Sequence, residues 1–155
     1  MTTVDEQIDV DRPISTVYNQ WTQFEDFPRF MEGVESVHQL DDVQLHWKAS
    51  IGGVEREWDA MIVEQEPDRI ISWQNTTGAT NRGVVTFTPL GPEQTRVDFH
   101  LEFEPDGAVE QVGDKLGMVS RRTKGDLQRF KGFIEGRGVE TGEWRGAIDA
   151  GVERR

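Results

Sequence analysis

The chain has 155 residues, enough for one domain with a real core, and its 35% apolar content includes eight Phe, five Trp and four Met. It has no cysteine, which excludes disulfides, thiol catalysis and cysteine-bound metals. Its net charge of −12, from 29 acidic and 17 basic residues, argues against nucleic acid or an anionic lipid surface as partner, since both are held through Lys and Arg.

The N-terminus, MTTVDEQIDV, lacks the basic-then-apolar order of a signal peptide, and no apolar run reaches membrane-spanning length. A cytoplasmic protein without stable membrane insertion is the simplest reading. Val4, Ile8 and Val10 predict a first strand over 4–10. Asp11-Arg12-Pro13 then signals a helix start, with Ile14, Val17 and Trp21 on one face and an end near Thr22. The stretch FEDFPRFM predicts a second short helix over 24–31, interrupted by Pro28.

From Val34 the apolar period becomes two. Strands are predicted over Val34–Leu40, Gln44–Ile51, Val54–Glu66, Arg69–Asn75, Gly83–Pro89 and Thr95–Phe103, joined by short turns. The glycines at 52, 53, 78, 83 and 91 read as turn residues. Together with the first strand this makes seven, an antiparallel sheet with one dry face. Val109, Val112, Leu116, Val119, Leu127, Phe130 and Ile134 then mark a long helix over 108–135, closed by Gly136 and Gly138, to cover that face. The domain therefore spans 1–138. Residues 139–155 read as a polar, partly disordered appendage.

A curved sheet around a long helix leaves a concave space. Strand alternation lines it with Trp47, Trp58, Trp73, Phe87 and Phe99, and the helix adds Leu116 and Val119. Arg56 and Asn75 share these faces and supply polar groups, although the Gly-Gly hairpin beside Arg56 also lets its guanidinium reach water. Phe24, Phe27, Phe30 and Met31 sit where they complete the core or gate one end of the space.

The stretches FPRFMEGVESV, LHWKASIGGVEREWDAMIVEQEPDRIISWQ, NRGVVTFTPLGPEQTRVDFHLEFEP and DLQRFKGFIEGRG carry a resemblance that covers about 24–138. In that order they resemble the START-like (SRPBCC) superfamily of helix-grip folds, and within it the polyketide cyclase/dehydrase and coenzyme Q-binding branch. The resemblance implies an α+β fold, a hydrophobic small-molecule ligand between sheet and C-terminal helix, and, in a minority of members, aromatase/cyclase chemistry.

The residues themselves offer little chemistry. His38, His46 and His100 lie in strands, the last two at solvent-facing positions, and no metal-spaced cluster, nucleophile elbow or phosphate loop is present. No cofactor is called for, and no oligomeric state is specified. Two functions remain open. The first is a carrier or sensor of a lipid, quinone or polyketide-like aromatic. The second is a polyketide cyclase/dehydratase that would have to use Arg56, with Asn75 or water, since no inward Asp, Glu, His or Tyr is apparent. A ribosome- or membrane-associated accessory role, seen among relatives, is disfavoured by the acidic charge.

Overall fold

A computed structural model of the chain describes residues 2–51, 54–78, 80–104 and 112–154. Its elements run β1 (Thr2–Val10), α1 (Ile14–Trp21), a 3-10 helix (Phe24–Arg29), β2 (Val34–Gln39), β3 (Gln44–Ile51), β4 (Val54–Glu66), β5 (Ile70–Asn75), β6 (Asn81–Gly91), β7 (Gln94–Phe103), α2 (Val112–Arg137), β8 (Ala147–Asp149) and β9 (Val152–Arg154). The helix predicted from 108 is present from Val112. Residues 108–111 and the Gly52-Gly53 turn lie outside the described residues.

The first seven strands form one antiparallel path in the order β1-β7-β6-β5-β4-β3-β2. Short turns make β2 to β7 a meander, and the N-terminal strand closes onto its last member along Thr2–Val10 and Thr95–Phe103. Period-two alternation turns one face inward. Across the sheet, Leu45 stands opposite Ala60, Ile62 opposite Trp73, Ile71 opposite Val85, and Phe87 opposite Val97. α2 crosses this face with Leu127, Phe130 and Ile134 buried at helical spacing.

α1 and the 3-10 helix close one end. Pro28 has no N–H to give, so the backbone takes six residues of tight 3-10 turn instead of a lasting α-helix. That turn drives Phe24, Phe27 and Phe30 inward, each less than 5% exposed. Phe27 packs 5.5 Å from Trp21 and 5.7 Å from Trp47, and Phe30 lies 5.2 Å from Phe130 (ring centroids). Met31 is half-buried against the same cluster.

The C-terminal segment departs from expectation. Read as a partly disordered appendage, it is instead docked along α1 and adds two strands, giving nine in the sheet. Ile148 is buried and pairs with Gln65 of β4. The β8–β9 hairpin turns through Ala150 and Gly151, both at positive φ, the backbone of a tight primed turn. The physical reason lies in α1. Its Asn19 and Gln20, with Thr22 just beyond, are almost fully buried polar groups that need partners. The tail supplies them. Asn19 Nδ2 donates to Glu140 (2.8 Å), the Thr141 amide donates to Gln20 (2.9 Å), and the Trp144 amide donates to Thr22 Oγ1 (3.1 Å). Arg145 donates to Asn19 Oδ1 (2.6 Å), pairs with Asp68 (2.9 Å) and lies over the Tyr18 ring.

Candidate functional site

The inner face of the sheet divides into two halves. The half beneath α1, the 3-10 helix and the C-terminal part of α2 is sealed: Tyr18, Trp21, Ile62, Val85, Val97 and Phe130 are at most 1% exposed. The other half, toward the N-terminal part of α2, carries Trp58, Trp73, Asn75 and Phe99, all half-buried.

Local sequence explains how the aromatics stand there. Trp47 and Trp58 are register partners on β3 and β4, so their indoles stack at 5.9 Å with planes 7° apart. Trp73 is the register partner of Gly83 on β6. A Cβ on Gly83 would come within 2.1 Å of the indole, so the ring lies directly over the glycine backbone. Gly83 is thus a strand residue that seats Trp73, not the turn residue its type suggested. Phe99 completes the shelf, 5.8 Å from Trp73.

The remaining anticipated residues fall in different places. Trp47 is buried at the border between the halves. Phe87 belongs to the sealed core, packed 5.3 Å from Tyr18. Val119 is half-buried on α2, and the side chain of Leu116 lies outside the described residues. Asn75 stands opposite Ala60. Arg56, expected to look inward, is exposed. It sits opposite Ala49 near the open end of the β3–β4 ladder, where a long side chain reaches the surface.

One acid faces inward that the sequence reading missed. β1 turns Val4, Glu6, Ile8 and Val10 to the same face, and Glu6 stands opposite Phe99. The half-buried carboxylate accepts a hydrogen bond from Ser120 Oγ of α2 at 2.8 Å. The signal was present, because Glu6 fills the gap in the alternation of Val4, Ile8 and Val10. Tyr18 is a second unanticipated inward group, but it is sealed in the core. Its burial pushes the phenol up to about 12 against the opposing pull of Gln65 and Arg145.

The histidines lie on the outer side. His46 contacts Asp59 at 2.7 Å, and His100 contacts Asp5 at 2.5 Å, which holds the imidazole above its ordinary range. Among the described residues no group of three or more His, Asp or Glu is arranged to hold a metal. Two open surface grooves are present. One, about 600 Å³, lies between Asp41–Gln44 and the β8–β9 hairpin. The other, about 470 Å³, crosses β1, β7 and β6 and reaches Lys124. Both have mixed polar and apolar walls, the second including Glu6 and Phe99, and neither is lined by Trp58 or Trp73.

A sheet wrapped on a long C-terminal helix, with an aromatic half-face between them, matches a known family pattern over residues 10–131, that of polyketide cyclase/dehydrase and lipid transport. The chain belongs to this family. Similar solved structures include a START superfamily protein of Mycobacterium smegmatis, with TM-score 0.74, 16% identity, and 87% of this chain and 98% of that one covered. The Zhui aromatase/cyclase of a Streptomyces species superposes with TM-score 0.75 at 16% identity, over 92% of this chain and 99% of that one. These likenesses establish the helix-grip fold. In sequence, an uncharacterised 17.2 kDa protein of Streptomyces lincolnensis is 54% identical over 149 residues, covering 96% of this chain and 99% of its own. Among the described residues of this family member, no helix is long and apolar enough to cross a membrane.

Proposed function

We propose that this protein binds and carries a hydrophobic small molecule, of the lipid, quinone or polyketide-like aromatic kind, between the inner sheet face and α2. The observation that carries the reading is the divided inner face. Trp58, Trp73 and Phe99 stay half-buried on a face whose other half is sealed. Large aromatics left half-covered beside a core are surface that a ligand can finish covering. Each 100 Å² of apolar ligand surface removed from water would contribute about 2.5 kcal/mol. Trp47, Asn75 and Val119 border the same region, and the family's description as cyclase/dehydrase and lipid transport supports a ligand there.

Native mass spectrometry of freshly purified protein tests this reading, with tryptophan quenching by apolar probes alongside. A co-purifying hydrophobic mass and saturable quenching are expected. No bound mass, and no saturable quenching with long-chain or polyaromatic probes, would sink the reading.

A second reading is cyclisation or dehydration of a polyketide-like ligand in the same space. Glu6 favours it as an inward proton acceptor, which a guanidinium such as that of Arg56 is not. A bound ligand recovered chemically unchanged after prolonged incubation would leave carriage alone.

A further inference from the structure

We infer that Glu6, held by Ser120, is the specificity-determining polar anchor of the ligand space, and that it selects apolar molecules bearing a neutral hydroxyl or phenol over those bearing a carboxylate. The inference rests on the binding reading above and names the ligand class.

Glu6 is the one acid at an inward register position of β1 to β7, among the described residues. Its flanking inward neighbours, Val4 and Ile8, are apolar. An acid in such a row breaks the pattern that buries β1, and neither strand pairing nor core packing requires it there. Its cross-strand partner is Phe99, which touches the Trp73 ring seated on Gly83. The carboxylate therefore stands at the edge of the aromatic shelf.

The hydrogen bonding leaves capacity for a ligand. Ser120 Oγ donates to Oε1, and among the described residues no donor is directed to Oε2. An ionised carboxylate accepts only, so the free oxygen calls for a donor. A hydroxyl or phenol on the rim of a flat ligand supplies one, and a hydrogen bond to a charged acceptor is among the stronger kinds. A ligand carboxylate would bring a second negative charge to the same spot and offer no proton. Among the described residues no cation pairs with Glu6: Lys124, one turn beyond Ser120 and on the same surface groove as Glu6, is exposed and makes no ion pair with it. Ser120 acts through Glu6 and is a positioning residue, holding the carboxylate toward the shelf.

Calorimetric titration of the full chain with naphthol, naphthoate and naphthalene tests the inference near neutral pH. Wild type is expected to bind naphthol most tightly, naphthalene next and naphthoate least. Glu6→Gln, folded by circular dichroism, is expected to cut the naphthol-to-naphthoate ratio at least tenfold while changing naphthalene affinity less than threefold. Wild-type protein that binds naphthoate as tightly as naphthol overturns the inference even if the variant fails to fold. An unchanged ratio in folded Glu6→Gln does the same. Saturable naphthalene binding alongside either result leaves the binding reading standing, whereas no binding of any of the three removes both.

Discussion

At the scale of single residues, the site depends on what is missing as much as on what is present. Gly83 has no side chain, and the Trp73 indole occupies the room a Cβ would take. Gly83→Ala must push a large ring off its strand neighbour. Overpacking of this kind costs about 1–3 kcal/mol. The measurement is chemical denaturation with tryptophan emission as the probe, and native emission should shift as Trp73 is displaced. A variant as stable as wild type, with an unchanged native spectrum, would show that the ring seat is not needed. Phe27 makes the opposite case. It is 3% exposed and touches four other aromatic rings, Trp21, Phe24, Phe30 and Trp47. Phe27→Ala should leave a void and lose about 3–5 kcal/mol. Should stability barely change while a bound probe leaves faster, the FEDFPRFM segment is a gate rather than a wall.

At the scale of elements, the tail and α1 form one unit. Removing residues 139–155 strips partners from Asn19, Gln20 and Thr22, and uncovers Tyr18 beneath Arg145. Each lost hydrogen bond costs about 0.5–1.5 kcal/mol and the apolar surface beneath the tail is exposed as well, so truncation should lower the melting temperature sharply. Tyr18 gives a second readout, because it is the only tyrosine in the chain. Its folded pKa is raised from 10.0 to about 12, so the folded state keeps a proton that the unfolded state releases. The stability from that difference is complete below pH 10 and is lost as pH rises toward 12. In near-UV absorbance titration the intact chain should ionise its tyrosine late, and a folded truncated chain earlier. Identical titration curves would mean that the tail does not shelter Tyr18. The same unit shows where sequence reading stopped. Strand alternation and the helical stripe made the sheet and α2 legible, since each apolar position faces one way. Nothing in the residue types of Asn19, Gln20 and Thr22 says that residues 140–145 will cover them. Glu6 was concealed by the same bias toward apolar letters, although the alternation of β1 already placed it inward. Arg56 follows the alternation in register, but near the end of the ladder its long side chain is exposed. Gly83 shows that a strand glycine serves a ring on the next strand, a pairing visible only once the register of β5 and β6 is known.

At the scale of the whole molecule, the net acidic charge has a thermodynamic consequence. Twelve excess negative charges on a chain of this size repel one another in the compact state. Attractive pairs such as Arg69–Glu66, Arg82–Glu102 and Arg96–Asp9 oppose that repulsion, but their side chains are largely exposed, and such pairs contribute little each. Salt weakens the attraction and the repulsion alike, and with twelve excess charges of one sign the repulsion is expected to dominate. Sodium chloride should therefore raise the melting temperature. The rise should fall mostly below about 0.2 M, where the Debye length shrinks to the spacing of neighbouring surface charges. Scanning calorimetry from low to molar salt distinguishes this from solute exclusion, which strengthens steadily without a plateau. A melting temperature that stays flat or falls over the first few tenths molar would mean that the ion pairs outweigh the repulsion. The same field acts on ligands before they reach Glu6. It disfavours approach of any anion and leaves a neutral hydroxyl-bearing molecule untouched, so added salt should improve naphthoate binding and leave naphthol binding as it was. Equal salt dependence for the two would show that the acidic surface plays no part in which molecules this protein admits.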